Sequence, residues 1–303
     1  MPLNVFLLLP PGLRYMALSA LGFALMTACV KAVSVYNIPV MEIVAARALV
    51  SLVLSYIDVR RKKISIWGTH KSLLIGRGVA GTLAMMAIYY TVTVMPLAEA
   101  TVIQYLHPVF TAVLALIFLK EKVRSTTILA IVISLTGLGV VVMPTIDPDI
   151  VANFSPIALG TALFGAFGSA VAYVIVRCLA QKNEDGSVII FYFPLVALPM
   201  SLILLGDDFV MPDLWPAFLL LMLGVFTQIG QIGLTKAMKC DDAAIATAYS
   251  YVQVIFSAAL GWVFFDEIPL ITTVLGGALI IIGALVNVLG GRMARKLASA
   301  EAR

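Results

Sequence analysis

Polar side chains recur at helical spacing inside one of the most apolar stretches of this 303-residue chain. This polar face consists of Thr101, Gln104, Tyr105 and Pro108. The spacing places them on one side of a helix, and Pro108 has no N–H to offer the carbonyl of Gln104. Hydroxyl, amide and free carbonyl groups of this kind could bind a polar molecule without any covalent step. The alternative is that they bond to neighbouring helices in a packed core.

Two later stretches and one earlier stretch carry comparable faces. One later stretch carries Thr227, Gln228, Gln231 and Thr235, and the other carries Thr247, Ser250 and Tyr251. The earlier stretch carries Thr82, Met85 and Tyr89. Amides on one face and a phenol with a thioether on another would suit a small ligand with unlike ends. Ordinary helix packing explains the same faces equally well.

Cations also lie within or near the ends of apolar stretches. Arg47 lies about 12 Å into its stretch at a rise of about 1.5 Å per residue, where a charge costs about 2.5–3.5 kcal/mol. It must face protein or water, and it could either attract an anionic group or bond the carbonyls of a broken helix. Lys31 and Arg177 could form gates or extend to the lipid headgroups. Arg77 could likewise extend to the headgroups.

Other titratable residues have a structural and a functional interpretation. His107 could carry a proton because histidine titrates near neutral pH, or it could be a hydrogen-bonded packing residue. Glu121 and Glu267 each end an apolar stretch, where a negative charge stabilises the N-terminus of the following helix. The sequence has no metal-binding cluster, phosphate-binding loop or nucleophile elbow. We therefore predict no bound metal, no cofactor and no enzymatic catalysis.

The elements that position these residues are membrane spans. Hydrophobic residues make up 62% of the chain, charged residues 12%, and the mean hydropathy is +1.06, whereas soluble proteins contain about 25% charged residues. A helix of about 20 apolar residues crosses the hydrocarbon core and satisfies its own backbone. We predict an all-α integral membrane protein with ten spans, at 13–34, 39–57, 73–95, 99–119, 126–143, 156–178, 188–205, 214–236, 243–265 and 269–290.

The charges of the loops predict the orientation. Lysine and arginine cluster in alternate loops, for example at 60–63, 120–124 and 292–296, while the other loops carry aspartate and glutamate. The positive-inside rule then places both termini in the cytoplasm, with the chain in the inner (plasma) membrane. The net charge of +4 reflects this asymmetry, and we predict no nucleic-acid binding.

The chain also contains an internal repeat. Adding 146 to a position in the first half gives identical residues in pairs such as Gly78/Gly224 and Tyr105/Tyr251. The repeat divides the chain into one five-span unit at 1–145 and a second at 146–303. Because five is an odd number, the second unit must be inverted relative to the first. We predict two inverted five-helix repeats about a pseudo-twofold axis in the membrane plane.

The repeated segments carry a family resemblance. Residues 107–142 (HPVFTAVLALIFLKEKVRSTTILAIVISLTGLGVVV) and 252–289 (VQVIFSAALGWVFFDEIPLITTVLGGALIIIGALVNVL) resemble the EamA signature of the drug/metabolite transporter superfamily. The resemblance implies an alternating-access carrier of a small polar organic metabolite, such as an amino acid or an organic anion. Since no carboxylate lies deep in a span, exchange or facilitated diffusion is favoured over proton coupling. A lipid flippase or scramblase is the alternative, and we expect a monomer or weak homodimer among membrane lipids.

In such a carrier, the polar faces would line a central cavity. The predicted substrate-binding residues are Arg47, Arg77, Tyr89, Gln104, Tyr105, His107, Tyr173, Gln228, Gln231 and Tyr251. The tyrosines would pack against the apolar part of the substrate, and the arginine and glutamine side chains would bind its polar groups, including a carboxylate. The predicted gate residues Lys31 and Arg177 are repeat partners, so inversion places them near opposite faces of the membrane.

Overall fold

Ten helices and a short 3₁₀ turn (Met143–Thr145) form the whole of the regular structure in the part of the chain that the computed structural model describes, residues 9–94, 97–145, 155–266, 268 and 270–301. All ten contain a segment long and apolar enough to span a bilayer. They are α1 (Pro11–Ser34), α2 (Val40–Arg61), α3 (Lys71–Val94), α4 (Leu97–Gln104, His107–Leu114 and the π-helical turn Ala115–Leu119), α5 (Ser125–Val142), α6 (Pro156–Gln181), α7 (Gly186–Leu205), α8 (Leu214–Cys240), α9 (Ala243–Ala248, the 3₁₀ turn Tyr249–Tyr251 and Val252–Phe265) and α10 (Ile271–Glu301). The predicted all-α membrane fold is confirmed.

The backbone repeats with the sequence interval of 146 residues. Among non-glycine residues, Asn37 and Asn183 both adopt a left-handed conformation, at φ values of 54° and 58°. Lys120 and Asp266 do the same at the ends of α4 and α9, each at φ 54°. Residues other than glycine rarely adopt the left-handed conformation. Two pairs of such residues, each separated by 146 positions, therefore indicate that both halves fold in the same way.

Helix packing follows a twofold arrangement. Helix α1 packs on α8, and the equivalent helices α6 and α3 pack on each other in the same way. The other three pairs join each helix to its own equivalent: α2 packs on α7, α4 on α9 and α5 on α10. A Cβ atom added to Gly78 would lie 2.8 Å from Val196, and one added to Gly224 would lie 2.4 Å from Val50. Adding 146 converts one residue pair into the other with the halves exchanged. The glycines let the backbones approach closely at two symmetry-related places.

The loops rich in lysine and arginine lie at one end of the bundle. At this end, which we call the basic face, Lys62 lies 3.2 Å from Asp185 and Arg177 lies 2.9 Å from Asp242. At the opposite face, the backbone N–H of Val210 donates to the carboxylate of Glu42 over 2.9 Å. The equivalent turns at 36–39 and 182–185 therefore lie at opposite ends, as inverted repeats require.

Candidate functional site

Helix α4 is interrupted at residues 105 and 106, between Gln104 and His107. The Nδ1 atom of His107 lies 3.1 Å from the carbonyl oxygen of Gln104, and only a protonated Nδ1 can donate to a carbonyl. This bond satisfies the carbonyl that Pro108 leaves free. The Nε2 atom of His107 lies 3.4 Å from Oγ of Ser250 on α9, whose hydroxyl donates to the carbonyl of Thr247 over 2.7 Å. In this conformation His107 connects the interrupted helix to its repeat partner.

A pair of tyrosines joins the two interrupted helices. Tyr105 and Tyr251 are repeat partners, and their rings stack with centroids 5.7 Å apart and planes inclined at 24°. The hydroxyl of Tyr251 donates to the backbone carbonyl of Tyr105 over 3.0 Å. Since each residue maps onto the other under the repeat, the stack lies at the pseudo-twofold axis. A substrate held on this axis could contact both halves.

A small cavity lies beside this stack. It has a volume of about 30 Å³, which is room for one or two water molecules. Its walls include Ser19, Phe23, His107, Tyr173, Thr247, Ser250 and Gln253. The ring of Tyr173 on α6 stands edge-on to His107 at a centroid distance of 5.3 Å. Two residues of the predicted polar face on α9 therefore line a cavity, and in this conformation the cavity is smaller than a metabolite.

Two arginines form a second cluster. Arg47 on α2 and Arg77 on α3 both lie against the ring of Phe193 on α7, with the guanidinium carbons 5.6 and 5.0 Å from its centroid. Arg77 donates to Oε1 of Gln231 on α8 over 3.3 Å. Arg47 contacts the sulfur of Met85 at 3.1 Å. Three residues predicted from the sequence, Arg47, Arg77 and Gln231, thus meet within the bundle.

The arginine cluster is buried and incompletely bonded. The exposed fraction is 9% for Arg47 and 3% for Arg77. Within the described ranges, no carboxylate lies within ion-pair distance of either guanidinium, and Nε and Nη1 of Arg77 have no hydrogen-bond partner. A Cβ atom on Gly81 would lie only 2.2 Å from Nη1 of Arg77, so this glycine leaves the space that the guanidinium occupies. Arg77 therefore points inward instead of extending to the headgroups.

The other predicted amides bond across helix interfaces. Gln104 donates to Ser169 over 3.2 Å, and Gln228 donates to Ser55 over 2.9 Å. The Oε1 atom of each amide is buried without a partner in the described structure. Tyr89 packs against the apolar residues around Met85. These side chains serve packing in this conformation, and two of their oxygen atoms remain free to accept hydrogen bonds.

The two predicted gate residues lie near opposite faces. Arg177 donates to Glu121 over 2.6 Å and to the carbonyl of Met238 over 2.8 Å, in addition to its contact with Asp242. Lys31 lies over the ring of Phe265 at 4.6 Å from the centroid. The contacts of Arg177 join α6 to the ends of α4, α8 and α9 at the basic face.

The prediction for Glu121 requires a correction. Its second carboxylate oxygen accepts the backbone N–H of Ala243, at the start of α9, over 2.8 Å. It therefore stabilises the N-terminus of α9 instead of that of the next helix along the chain, because the bundle brings α9 beside the end of α4. Glu267, its repeat partner, lies outside the described residues.

Comparison with known sequences establishes the family. Residues 10–143 and 156–289 each match the EamA-like transporter family. The chain belongs to this family. The two matches correspond to the two five-helix repeats, and the protein is a multi-pass membrane transporter.

Named EamA-like relatives align over most of the chain. The pseudopaline exporter CntI of Pseudomonas aeruginosa is 31% identical over 280 residues, which cover 92% of this chain and 96% of the exporter. Solute carrier family 35 member G1 of Homo sapiens is 32% identical over 290 residues, covering 91% of this chain and 78% of that carrier. The S-adenosylmethionine uptake transporter of Rickettsia bellii is 26% identical over 216 residues, covering 70% of each chain.

The EamA-like fold also has a counterpart among solved structures. One crystal structure superimposes with a TM-score of 0.75, covering 92% of this chain and 98% of its own, at 19% identity. At that identity the similarity supports the fold alone.

Two features of the EamA-like chain were not anticipated from its sequence. The Glu121–Arg177 pair was missed, although the sequence carries a signal for it. At both positions the repeat keeps the charge: Glu121 corresponds to Glu267, and Arg177 corresponds to Lys31. The shared contact of Arg47 and Arg77 with Phe193 had no such signal, because it depends on how α7 packs against α2 and α3.

Proposed function

We propose that the protein is an alternating-access transporter of a small polar organic metabolite that carries a carboxylate. The observation that carries this proposal is the pair of buried arginines without a described counter-ion, in the same bundle as the tyrosine stack on the twofold axis. A buried cation in a membrane protein is costly unless something compensates it. An anionic group of the substrate would provide that compensation.

The names of the relatives support a metabolite substrate. One is an exporter of pseudopaline and another an uptake transporter of S-adenosylmethionine, so the family carries unlike molecules in opposite directions. We therefore assign the substrate class from the site and leave the direction open. The bacterial relatives and the basic loops favour the inner membrane with both termini in the cytoplasm.

Inverted repeats provide the mechanism. In the proposed cycle, the contacts of Arg177 hold the basic face closed, and the cavity beside Tyr173 is contracted. Exchange of conformations between the two halves would release these contacts and expose the site to the other side in turn. No spanning helix carries a carboxylate near its centre in the sequence, which favours exchange or facilitated diffusion over proton symport.

The test is ligand screening followed by transport. Purified protein would be screened by thermal shift against metabolites, and compounds that stabilise it would be tested for counterflow in liposomes. Tyr105→Ala and Gln231→Ala should reduce counterflow severalfold or more without loss of folded protein. Tyr56→Ala, at a tyrosine that is 45% exposed on the outside of α2, is the matched control and should transport normally. Unchanged counterflow in both site variants, or flipping of labelled lipid in place of metabolite exchange, would contradict the proposal.

A further inference from the structure

We propose that the substrate binds as a dianion, with two carboxylates that neutralise Arg47 and Arg77 together. This inference rests on the proposed transport function and specifies its substrate class. The starting observation is that two guanidinium groups share one apolar ring, that of Phe193, at 5.6 and 5.0 Å.

The partners of both arginines in the described structure are neutral. Arg47 contacts the thioether sulfurs of Met26 and Met85 at 3.6 and 3.1 Å, and thioethers are weak acceptors. Arg77 has one amide oxygen, that of Gln231, for its five N–H donors. These contacts provide dipoles but no negative charge, so the two positive charges of the cluster remain uncompensated.

The charges also act on each other. The two guanidinium carbons lie 5.6 and 5.0 Å from one ring centroid, close enough for their like charges to repel, and both arginines are at least nine-tenths buried. One carboxylate would reduce the charge of the cluster from two to one and leave a buried cation behind. Two carboxylates would neutralise it and supply acceptors for the N–H groups that Gln231 does not reach, since each ionised carboxylate offers two acceptor oxygens.

A glycine one turn along α3 leaves space for the guanidinium of Arg77. Gly81 provides the space for Nη1 of Arg77, since a Cβ there would lie 2.2 Å from that atom and 3.0 Å from Phe193. Helix α3 thus combines a buried cation with a neighbour that allows the cation to turn inward. An arginine whose role was to reach the lipid headgroups would not need this arrangement.

The experiment compares ligands that differ in one charge. Thermal unfolding of the purified full-length protein would be measured with succinate, butyrate and succinamate, and with the other straight-chain dicarboxylates of three to six carbons. Sodium chloride would keep the ionic strength equal. We expect the preferred dicarboxylate to bind about 10- to 100-fold more tightly than its monocarboxylate and half-amide analogues, the range that a hydrogen-bonded charge contributes.

Variants of Arg47 then test whether the preference for a dicarboxylate depends on having two positive charges in the cluster. Arg47→Gln should abolish most of the preference, so that the half-amide binds about as well as the dicarboxylate, whereas Arg47→Lys should keep the preference because it keeps the charge. Arg47→Gln should also unfold at the same temperature as the wild type or higher when no ligand is present, since it removes one of two repelling charges. Lys236→Gln, at an exposed cation on α8 that lies over Tyr15, is the control and should leave the preference unchanged.

Three results would overturn the inference. They are equal stabilisation by mono- and dicarboxylates, no stabilisation by any dicarboxylate of the series, and a preference that survives Arg47→Gln. Counterflow in liposomes separates this inference from the transport proposal. Exchange of monocarboxylates as readily as dicarboxylates would refute the dianion and keep the transporter, whereas dicarboxylate binding without exchange would refute the transporter.

Discussion

Replacing Glu121 by glutamine is expected to open the basic face. Glu121 accepts three hydrogen bonds, from Arg177 at 2.6 Å, Gln181 at 2.9 Å and the N–H of Ala243 at 2.8 Å. Its side chain is 7% exposed, so water screens these bonds little. Glutamine keeps one acceptor oxygen and loses the charge, while Arg177 keeps its bond to Asp242.

The expected size of the effect follows from the bond that is lost. A hydrogen bond to a charged group contributes about 1.5–3 kcal/mol, and Arg177 retains one carboxylate partner. We therefore expect the closed conformation to lose about 2 kcal/mol, which corresponds to about a 30-fold shift of the equilibrium towards the open basic face.

The assay measures access to the cavity behind Arg177. Ser250, which lines the cavity, would be replaced by cysteine in a background that lacks Cys29, Cys178 and Cys240. A membrane-impermeant thiol reagent added at the basic face should label this cysteine up to about 30-fold faster when Glu121→Gln is present.

The matched control is a glutamate at the opposite face. Glu42 is also buried and also accepts a backbone N–H from the other half, that of Val210. Glu42→Gln should not accelerate labelling from the basic face. An unchanged rate in Glu121→Gln, with the protein folded, would refute the conclusion that this cluster keeps the basic face closed.

Two predictions concern stability. Gly137→Ala should lower the free energy of unfolding by about 1–3 kcal/mol, because the added Cβ would lie 2.7 Å from the carbonyl oxygen of Gly276 on α10. Gly139→Ala is the control and should be neutral, since nothing lies within 4 Å of a Cβ at that position. Equal unfolding temperatures for the two variants would contradict this packing. The second prediction concerns the pH dependence of stability, through Glu184. Burial alone would raise the pKa of its carboxyl group, but hydrogen bonds from the hydroxyl and N–H of Thr69 and from the N–H of His70 hold that pKa below its ordinary value of 4.5. A carboxylate with a lowered pKa stabilises the fold above the ordinary value and loses that contribution as pH falls through the folded value. The unfolding temperature should therefore fall less steeply below pH 4.5 in Glu184→Gln than in the wild type, and identical pH profiles would contradict the assignment.

The spans and the repeat could be predicted because they depend on local composition and on identity at a fixed interval. Tyr105 and Tyr251 were predicted to line the site because they lie on matching polar faces of the two equivalent spans. Arg47 could be predicted to face protein because lipid would not accept its charge.

The remaining features depend on contacts between distant helices. That Glu121 bonds the start of α9, and not that of α5, follows from how α4 and α9 pack at the basic face. The inward turn of Arg77 depends on Gly81 and on Phe193 of another helix. Neither the glycine nor the phenylalanine has a sequence signal of its own, because a missing side chain and an apolar ring are ordinary in any span.

The central claim is that the two inverted halves move reciprocally about one site. Electron paramagnetic resonance distances between spin labels at 122 and 239 on the basic face, and between labels at 36 and 208 on the opposite face, would test it in liposomes with and without a transported ligand. The account predicts that ligand widens the distance distribution at one face while it narrows that at the other. Distances that change in the same sense at both faces, or at neither face during active counterflow, would contradict it.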